Sequence, residues 1–230
     1  MCEHVDTSYD FKMTPDDWIK FWKDGHHTYF HSHNMTPIFL KSKEDIINGK
    51  HHSKVFVPFC GKAVEMKWLA ENGHVVVGVD VSDDGIMQFF KENNLPYITK
   101  EMPAVNGTLY ECSDRKMWLK LYCCSIYDFK PEVESRFDAV WDSGAFQASN
   151  KTDRKMYADI IHSVLKKDGK VFMAIEEFIQ KDCGTLDTEV IRNNFGEMFT
   201  MKTTEFVEAN EEYRKKFKIN GSHVYVMSKN

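Results

Sequence analysis

The chain has 230 residues and carries 30 Lys and Arg against 35 Asp and Glu, a formal net charge of -5. No basic run exceeds Arg214-Lys215-Lys216, which argues against nucleic acid as a partner. Apolar runs of only a few residues exclude a spanning helix, and the opening MCEHVDTSYDF has no apolar export core. A cytoplasmic protein with no membrane partner is therefore expected.

Six cysteines at 2, 60, 112, 123, 124 and 183 lack C-x-x-C spacing and are expected to be reduced. Neither a low-complexity stretch nor a Gly/Pro/Ser-rich linker divides the chain, and no repeat is visible, so residues 1–230 are read as one α/β domain. With no heptad or exposed apolar stripe in the sequence, a monomer is the simplest expectation for an otherwise open oligomeric state.

Thr14-Pro15-Asp16-Asp17 is a helix start, with Thr as N-cap, Pro at the first helical position and acids in the first turn. Trp18, Phe21 and Trp22 fall on one face and Gly25 ends the helix. That stripe either packs over a sheet, as aromatic stripes usually do, or forms part of a lid. His26, His27, His31, His33, His51 and His52 raise the question of a metal. No cysteine or carboxylate cluster is interleaved with them, so a polar loop without a metal is the expected reading.

Thr36-Pro37 opens a second helix that Gly49 closes. Lys54–Asp80 then reads as a β-α-β unit. Val55, Phe56, Val57 and Phe59 suit a strand covered on both faces, a sharp turn falls at Cys60-Gly61, and Gly73 sits where the intervening helix must end. Asp80 closes the second strand about 20 positions after Gly61, where nucleotide-binding sheets hold a ribose with a carboxylate. The bland alternative is that Asp80 prepares the turn before Ser82. The phosphate-loop pattern fails at Phe56 and Ala63, and the dinucleotide fingerprint fails because only Gly61 of its three glycines is present. A nucleoside ligand fits this turn better than a dinucleotide.

Ser82 caps a helix bearing Ile86, Phe89 and Phe90, and Leu95-Pro96-Tyr97 starts a third strand. Thr108–Cys112 and Trp118–Cys124 resemble a hairpin around Ser113-Asp114-Arg115. Phe137–Asp142 is expected as the fourth parallel strand. Thr152 should cap a helix ended by Gly169, with Lys170–Ile175 as strand five and Glu176-Glu177 at its carboxyl end. Leu186–Phe195 reads as a helix, residues 201–207 and 222–227 as final strands, and 211–218 as a solvated connection. Ligands of open α/β sheets gather beyond the carboxyl ends of the strands, so Phe59–Lys62, Asp80, Ser125-Ile126 and Asp142–Phe146 should share one crevice.

Taken in order, PFCGKAVEMKWLAENGHVVVGVDVSDDGI, LYCCSIYDF, FDAVWDSGAF and DRKMYA are similar to the thiopurine S-methyltransferase family. The likeness runs from about Thr14 to Leu165 and fades beyond Ile175. It implies a Rossmann-like S-adenosylmethionine (SAM) methyltransferase sheet, mostly parallel with an antiparallel C-terminal strand and helices on both faces. It implies SAM as cofactor, S-adenosylhomocysteine (SAH) as product, and methylation of a small-molecule acceptor, most directly an aromatic or heterocyclic thiol. Small-amine N-methylation and a catalytically silent SAM-binding protein are the alternatives.

The same resemblance implies that residues 1–50 form a helical lid. Trp18, Trp22, Phe30, Phe59, Gly61, Asp80, Ser125, Ile126 and Asp142 become the expected cofactor contacts, and Phe30, Ser143 and Glu176 the expected acceptor contacts. No catalytic residue is certain; Asp142 and Ser143 are the acceptor-side candidates. Family members usually carry Arg directly after the Asp matching Asp142, whereas this chain has Ser143. With Glu176 and Glu177 opposite, the expected balance moves from positive toward negative, unless Arg154 or Arg192 replaces the missing charge.

Overall fold

A computed structural model describes residues 12–179, 186–204 and 206–230. Its helices, in chain order, are α1 (Pro15–Lys23), α2 (Pro37–Ile47), α3 (Glu65–Glu71), α4 (Asp83–Glu92), α5 (Ala145–Ala148), α6 (Arg154–Val164), α7 (Thr188–Phe195) and α8 (Glu211–Phe217). The strands are β1 (Lys54–Pro58), β2 (Val75–Asp80), β3 (Tyr97–Met102), β4 (Gly107–Cys112), β5 (Leu119–Cys123), β6 (Phe137–Ser143), β7 (Leu165–Phe178), β8 (Phe199–Thr203), β9 (Val207–Glu208) and β10 (Ile219–Lys229). The strands form one sheet of order β3-β4-β5-β2-β1-β6-β7-β10-β8, with β9 on β10.

The five central strands, from β5 to β7, are parallel, and antiparallel strands finish both edges. Strand order reverses at β1, because the chain goes first to β2 and returns later to β6 on the other side. A crevice therefore opens where the two crossovers leave in opposite directions.

Alternation along β1 divides the core. Phe56 joins one apolar cluster with Tyr157 and Ile161 of α6 and Ile191 and Phe195 of α7. Val55 and Val57 join a second with Phe39 of α2, Leu69 of α3 and Phe89 of α4. Burial of both faces explains why this strand reads as a continuous apolar run.

Local signals set several boundaries. Thr14 forms a capping box with Asp17, and Thr36 and Ser82 each accept a backbone N–H at the start of their helices. Elsewhere the sequence expectations need correction. Tyr97–Met102 is not a parallel strand; it runs antiparallel beside β4 at the sheet edge, and the third parallel strand is β5. Thr152 does not cap α6: its hydroxyl bonds the Asp153 side chain, and Asp153 holds the cap position. Gly169 does not end that helix either, since β7 begins at Leu165 and residues 166–169 form a bulge between the Leu165 and Lys170 pairings with β6.

The expected strand at 201–207 is two strands, β8 and β9. Residues 211–217 are helix rather than connection, capped by Asn210 and buried through Tyr213 and Phe217. Cys60, Cys112, Cys123 and Cys124 are free thiols, while Cys2 and Cys183 lie outside the described residues, as does MCEHVDTSYDF. No described helix is long and apolar enough to cross a membrane.

Candidate active site

The turn after β1 is held by β2. Phe59 adopts φ +47° and Gly61 φ +43°, and a non-glycine residue held there stores on the order of 1–3 kcal/mol. Two bonds fix the turn: Cys60 N–H donates to Val79 O at 3.0 Å, and Gly61 N–H donates to Asp80 Oδ2 at 2.8 Å. Asp80 Oδ1 accepts Ser82 N–H, also at 2.8 Å. One buried carboxylate thus ties the β1 turn to the start of α4. Burial pushes its pKa up to about 6 against the lowering pull of the backbone donors. Gly61 and Ser82 each donate to one oxygen and the Val81 N–H also acts on the carboxylate, so a nucleoside's hydroxyls match the lone pairs that remain.

Trp22 is buried and its indole lies directly over this turn. A Cβ added to Gly61 would stand 2.6 Å from Trp22 Cζ2, and one added to Gly85 of α4 would stand 3.2 Å away. The two glycines leave the seat that the indole fills, stacked on His27 at 4.8 Å between centroids. Trp18 and Phe30 meet edge to face nearby, and Phe30 is 48% exposed. The α1 stripe therefore buries one ring and leaves others around the mouth of the crevice.

Ser125 and Ile126 follow β5. Cys124 N–H bonds Asp80 O, which brings this segment beside the β2 end. Ser125 Oγ accepts Tyr127 N–H, and the Ile126 side chain is in the core, so only its backbone can edge a ligand. Asp142 is fully buried. Its oxygens accept Ala145 N–H at 2.7 Å, Phe146 N–H at 3.3 Å and the Tyr157 hydroxyl at 2.7 Å. The carboxylate thereby joins β6, α5 and α6 and does not face open space; burial raises its pKa to about 6.

Ser143, one residue on, is exposed at the rim of a narrow cleft that also takes in Glu176, Glu208, Tyr213 and Ser222. Glu176 and Ala174 lie on the same face of β7, and Ala174 pairs with Ser143 across to β6. Glu177 points the other way and accepts Asn220 Nδ2 at 3.0 Å. Arg154 lies over the Phe146 ring at 5.6 Å and Arg192 is exposed on α7; neither lines the cleft.

Tyr213 and Gly85 had no role in the sequence reading. Tyr213 was hidden in a run that looked solvated, although Asn210 as cap and the four-residue step from Tyr213 to Phe217 are a readable helix signal. Gly85 carried no signal, because its role exists only once Trp22 rests on it. Lys62 is buried and donates to Gln88 Oε1 at 2.9 Å and Glu92 Oε1 at 2.6 Å on α4. Ligating atoms of His31, His33 and Glu92 lie within 4.8 Å of one another. The Lys62 ammonium already neutralises Glu92, and burial with that same ammonium lowers the His31 pKa to about 3, which keeps its imidazole neutral.

A parallel sheet that reverses at β1, with a carboxylate-closed β2 and a turn suited to a nucleoside, defines a Rossmann-like nucleotide-binding fold. The fold is shared with the magnesium protoporphyrin IX methyltransferase of Synechocystis with bound SAM, which superposes with a TM-score of 0.61 at 11% identity, over 98% of this chain and 99% of that one. The thiopurine S-methyltransferase (TPMT) family profile matches residues 13–230. Thiopurine S-methyltransferase of Mus spretus is 36% identical over 222 residues, 94% of this chain and 91% of the relative. That of Rattus norvegicus is 37% identical over 209 residues, 88% and 85% of the two chains. The chain belongs to the thiopurine S-methyltransferase family and is a SAM-dependent methyltransferase acting on a small-molecule acceptor.

Proposed function

We propose that the chain methylates the sulfur of a small aromatic or heterocyclic thiol. The observation that carries this reading is the adjacency of two features at the carboxyl ends of the paired strands β1 and β6: the Asp80-pinned turn at Gly61, and the cleft between Ser143 and Glu176. The relatives' S-methyltransferase activity supports sulfur as the acceptor atom.

Asp80, Gly61 and Phe59, with Ser125 and the Ile126 backbone, would hold the nucleoside end of SAM, while Trp18, Trp22 and Phe30 cover it. Ser143, Glu176 and Phe30 would face the acceptor. Asp142 acts behind them by fixing β6 to α5. When bound, SAM supplies a methyl carbon that the acceptor's sulfur attacks as the old carbon–sulfur bond breaks, its electron pair returning to the cofactor sulfur to give SAH. Holding the reacting atoms in line is worth about 7–11 kcal/mol, whereas a general base adds about 10²–10⁴-fold. An acceptor arriving as a thiolate has no proton to give up, so positioning is the chain's main task.

The further assignments are one catalytic domain over residues 1–230 with residues 1–50 as its lid, a monomer, and a cytoplasmic setting. Neither a resident metal nor a nucleic-acid partner is assigned. The buried Lys62 ammonium beside Glu92 supports the absence of the metal.

Incubation with methyl-labelled SAM and a panel of thiols and amines should place label on sulfur. SAM binding without turnover on any acceptor would point to a silent binding protein, and label on nitrogen alone would overturn the thiol reading. Hydrogen exchange tests the lid. Residues 14–31 should exchange more slowly with SAH than without it, since rings at the crevice mouth gain a partner. Equal protection in both states would make α1 a fixed strut.

A further inference from the structure

Among described residues, the lining of the Ser143 cleft includes Glu176 and Glu208 but no lysine, arginine or histidine. Glu176 is held in place by its backbone: its N–H donates to Gln147 Oε1 and its carbonyl accepts Gln147 Nε2, each at 3.0 Å. Burial pushes the pKa of its carboxyl up to about 7, and among the described residues no cation or donor lowers it. The surrounding groups deepen the deficit. Glu65 sits behind Thr36, accepting its hydroxyl at 3.2 Å, and both Glu65 and Glu212 act with Glu176 on the Tyr213 phenol. Lys216, on the same helix as Tyr213, is turned to the His31 carbonyl at 3.2 Å.

A desolvated carboxylate without a partner is costly, and a ligand that brings a cation recovers that cost; a ligand that brings another carboxylate adds to it. We propose that Glu176 selects acceptors carrying a protonated nitrogen beside the sulfur, so that the acceptor class is cationic aromatic aminothiols rather than carboxylated thiols. The proposal rests on the thiol reading above and narrows it.

The pairing also decides which atom reacts. An amine held against Glu176 stays protonated, and its lone pair is unavailable. The ammonium in turn lowers the pKa of the neighbouring thiol, so the thiol proton passes to water before transfer. Sulfur then forms the new bond to the methyl carbon, and the cofactor sulfur keeps the electron pair of the bond that breaks.

The test uses benzenethiols bearing an ortho-aminomethyl, ortho-methyl or ortho-carboxy group. Calorimetry measures their binding to the full chain at saturating SAH, and kcat/KM is measured with SAM. The aminomethyl thiol should bind about tenfold to a hundredfold more tightly than the carboxy thiol, the worth of one hydrogen bond between charged groups. Glu176→Gln should erase that ratio while SAH affinity is retained. Should Glu176→Gln not fold, Ser143→Arg provides the second arm and should shift the ratio toward the carboxy thiol. Equal binding of the two charged thiols by the wild type, or a ratio that persists in Glu176→Gln or in Ser143→Arg, would overturn the proposal. If the ratio behaves as expected but no thiol is methylated, the charge selection stands and the thiol reading falls. If thiols are methylated without the ratio, the reverse holds.

Discussion

Asp142→Ala should lower the melting temperature by about 8–16 °C, because it removes the common acceptor of three buried donors. Each orphaned buried donor costs about 1–3 kcal/mol. With partial relaxation, a total on the order of 4 kcal/mol is expected, and a chain of this size shifts by about 2–4 °C per kcal/mol. The three donors come from two helices: Ala145 N–H and Phe146 N–H at the start of α5, and the Tyr157 hydroxyl in α6. Tyr157→Phe removes one donor and leaves the other two satisfied, so its effect should be about 1 kcal/mol. Thermal unfolding of both variants with SAH binding measured alongside separates structure from chemistry. If Asp142→Ala melts like the wild type yet loses turnover, the carboxylate works on a ligand and its hydrogen bonds to the chain are incidental.

Asp142 also shows where the sequence stopped being informative. That a carboxylate ends the strand was legible, since Ala139-Val140-Trp141 runs apolar up to Asp142. That its oxygens belong to Tyr157 was not, because the partner is 15 positions away on another element. The β-α-β unit of β1, α3 and β2 was legible throughout, because burial on both faces, the glycine at position 73 and the terminal Asp80 are all local signals. The direction of Tyr97–Met102 was not, because a strand's own residues do not encode which neighbour it pairs with. Its positions are largely exposed, and the short connection through residues 103–106 to β4 makes the pair antiparallel.

The same distinction runs through the site. Ser143 and Glu176 could each be placed at a strand end, and the period of two required one of the adjacent glutamates to face inward. That it is Glu176 follows from register, with Ala174 opposite Ser143 and Asn220 taking Glu177. Charge in the cleft is a property of what is missing as much as of what is present. The positions of Arg154 and Arg192 had to be known before the lack of a compensating cation could be stated. Trp22 is a similar case: its stripe fitted both packing and cover, and its place over Gly61 and Gly85 joins the two readings in one side chain.

Asp80→Ala should weaken SAH binding roughly a hundredfold and also cost about 2–4 kcal/mol of stability. The first figure follows from losing the hydrogen bonds between a carboxylate and two hydroxyls, together worth up to about 3 kcal/mol. The second follows from the two bonds within the protein: Gly61 N–H and Ser82 N–H both lose their acceptor, at about 1–3 kcal/mol each. Binding and folding are therefore coupled at this residue, and a loss of affinity in Asp80→Ala alone cannot distinguish a missing contact from a displaced turn. Asp80→Asn separates them. Its remaining oxygen can keep one backbone donor and its volume keeps the turn in place beneath Trp22, while its amide nitrogen cannot accept a hydroxyl. Calorimetric titration of SAH into folded Asp80→Asn should show an affinity loss of about tenfold or more with a smaller stability loss than in Asp80→Ala. Wild-type affinity in that variant would mean that Asp80 only builds the turn, and the ribose would have to be held by the backbone around Ser125 and Ile126 instead.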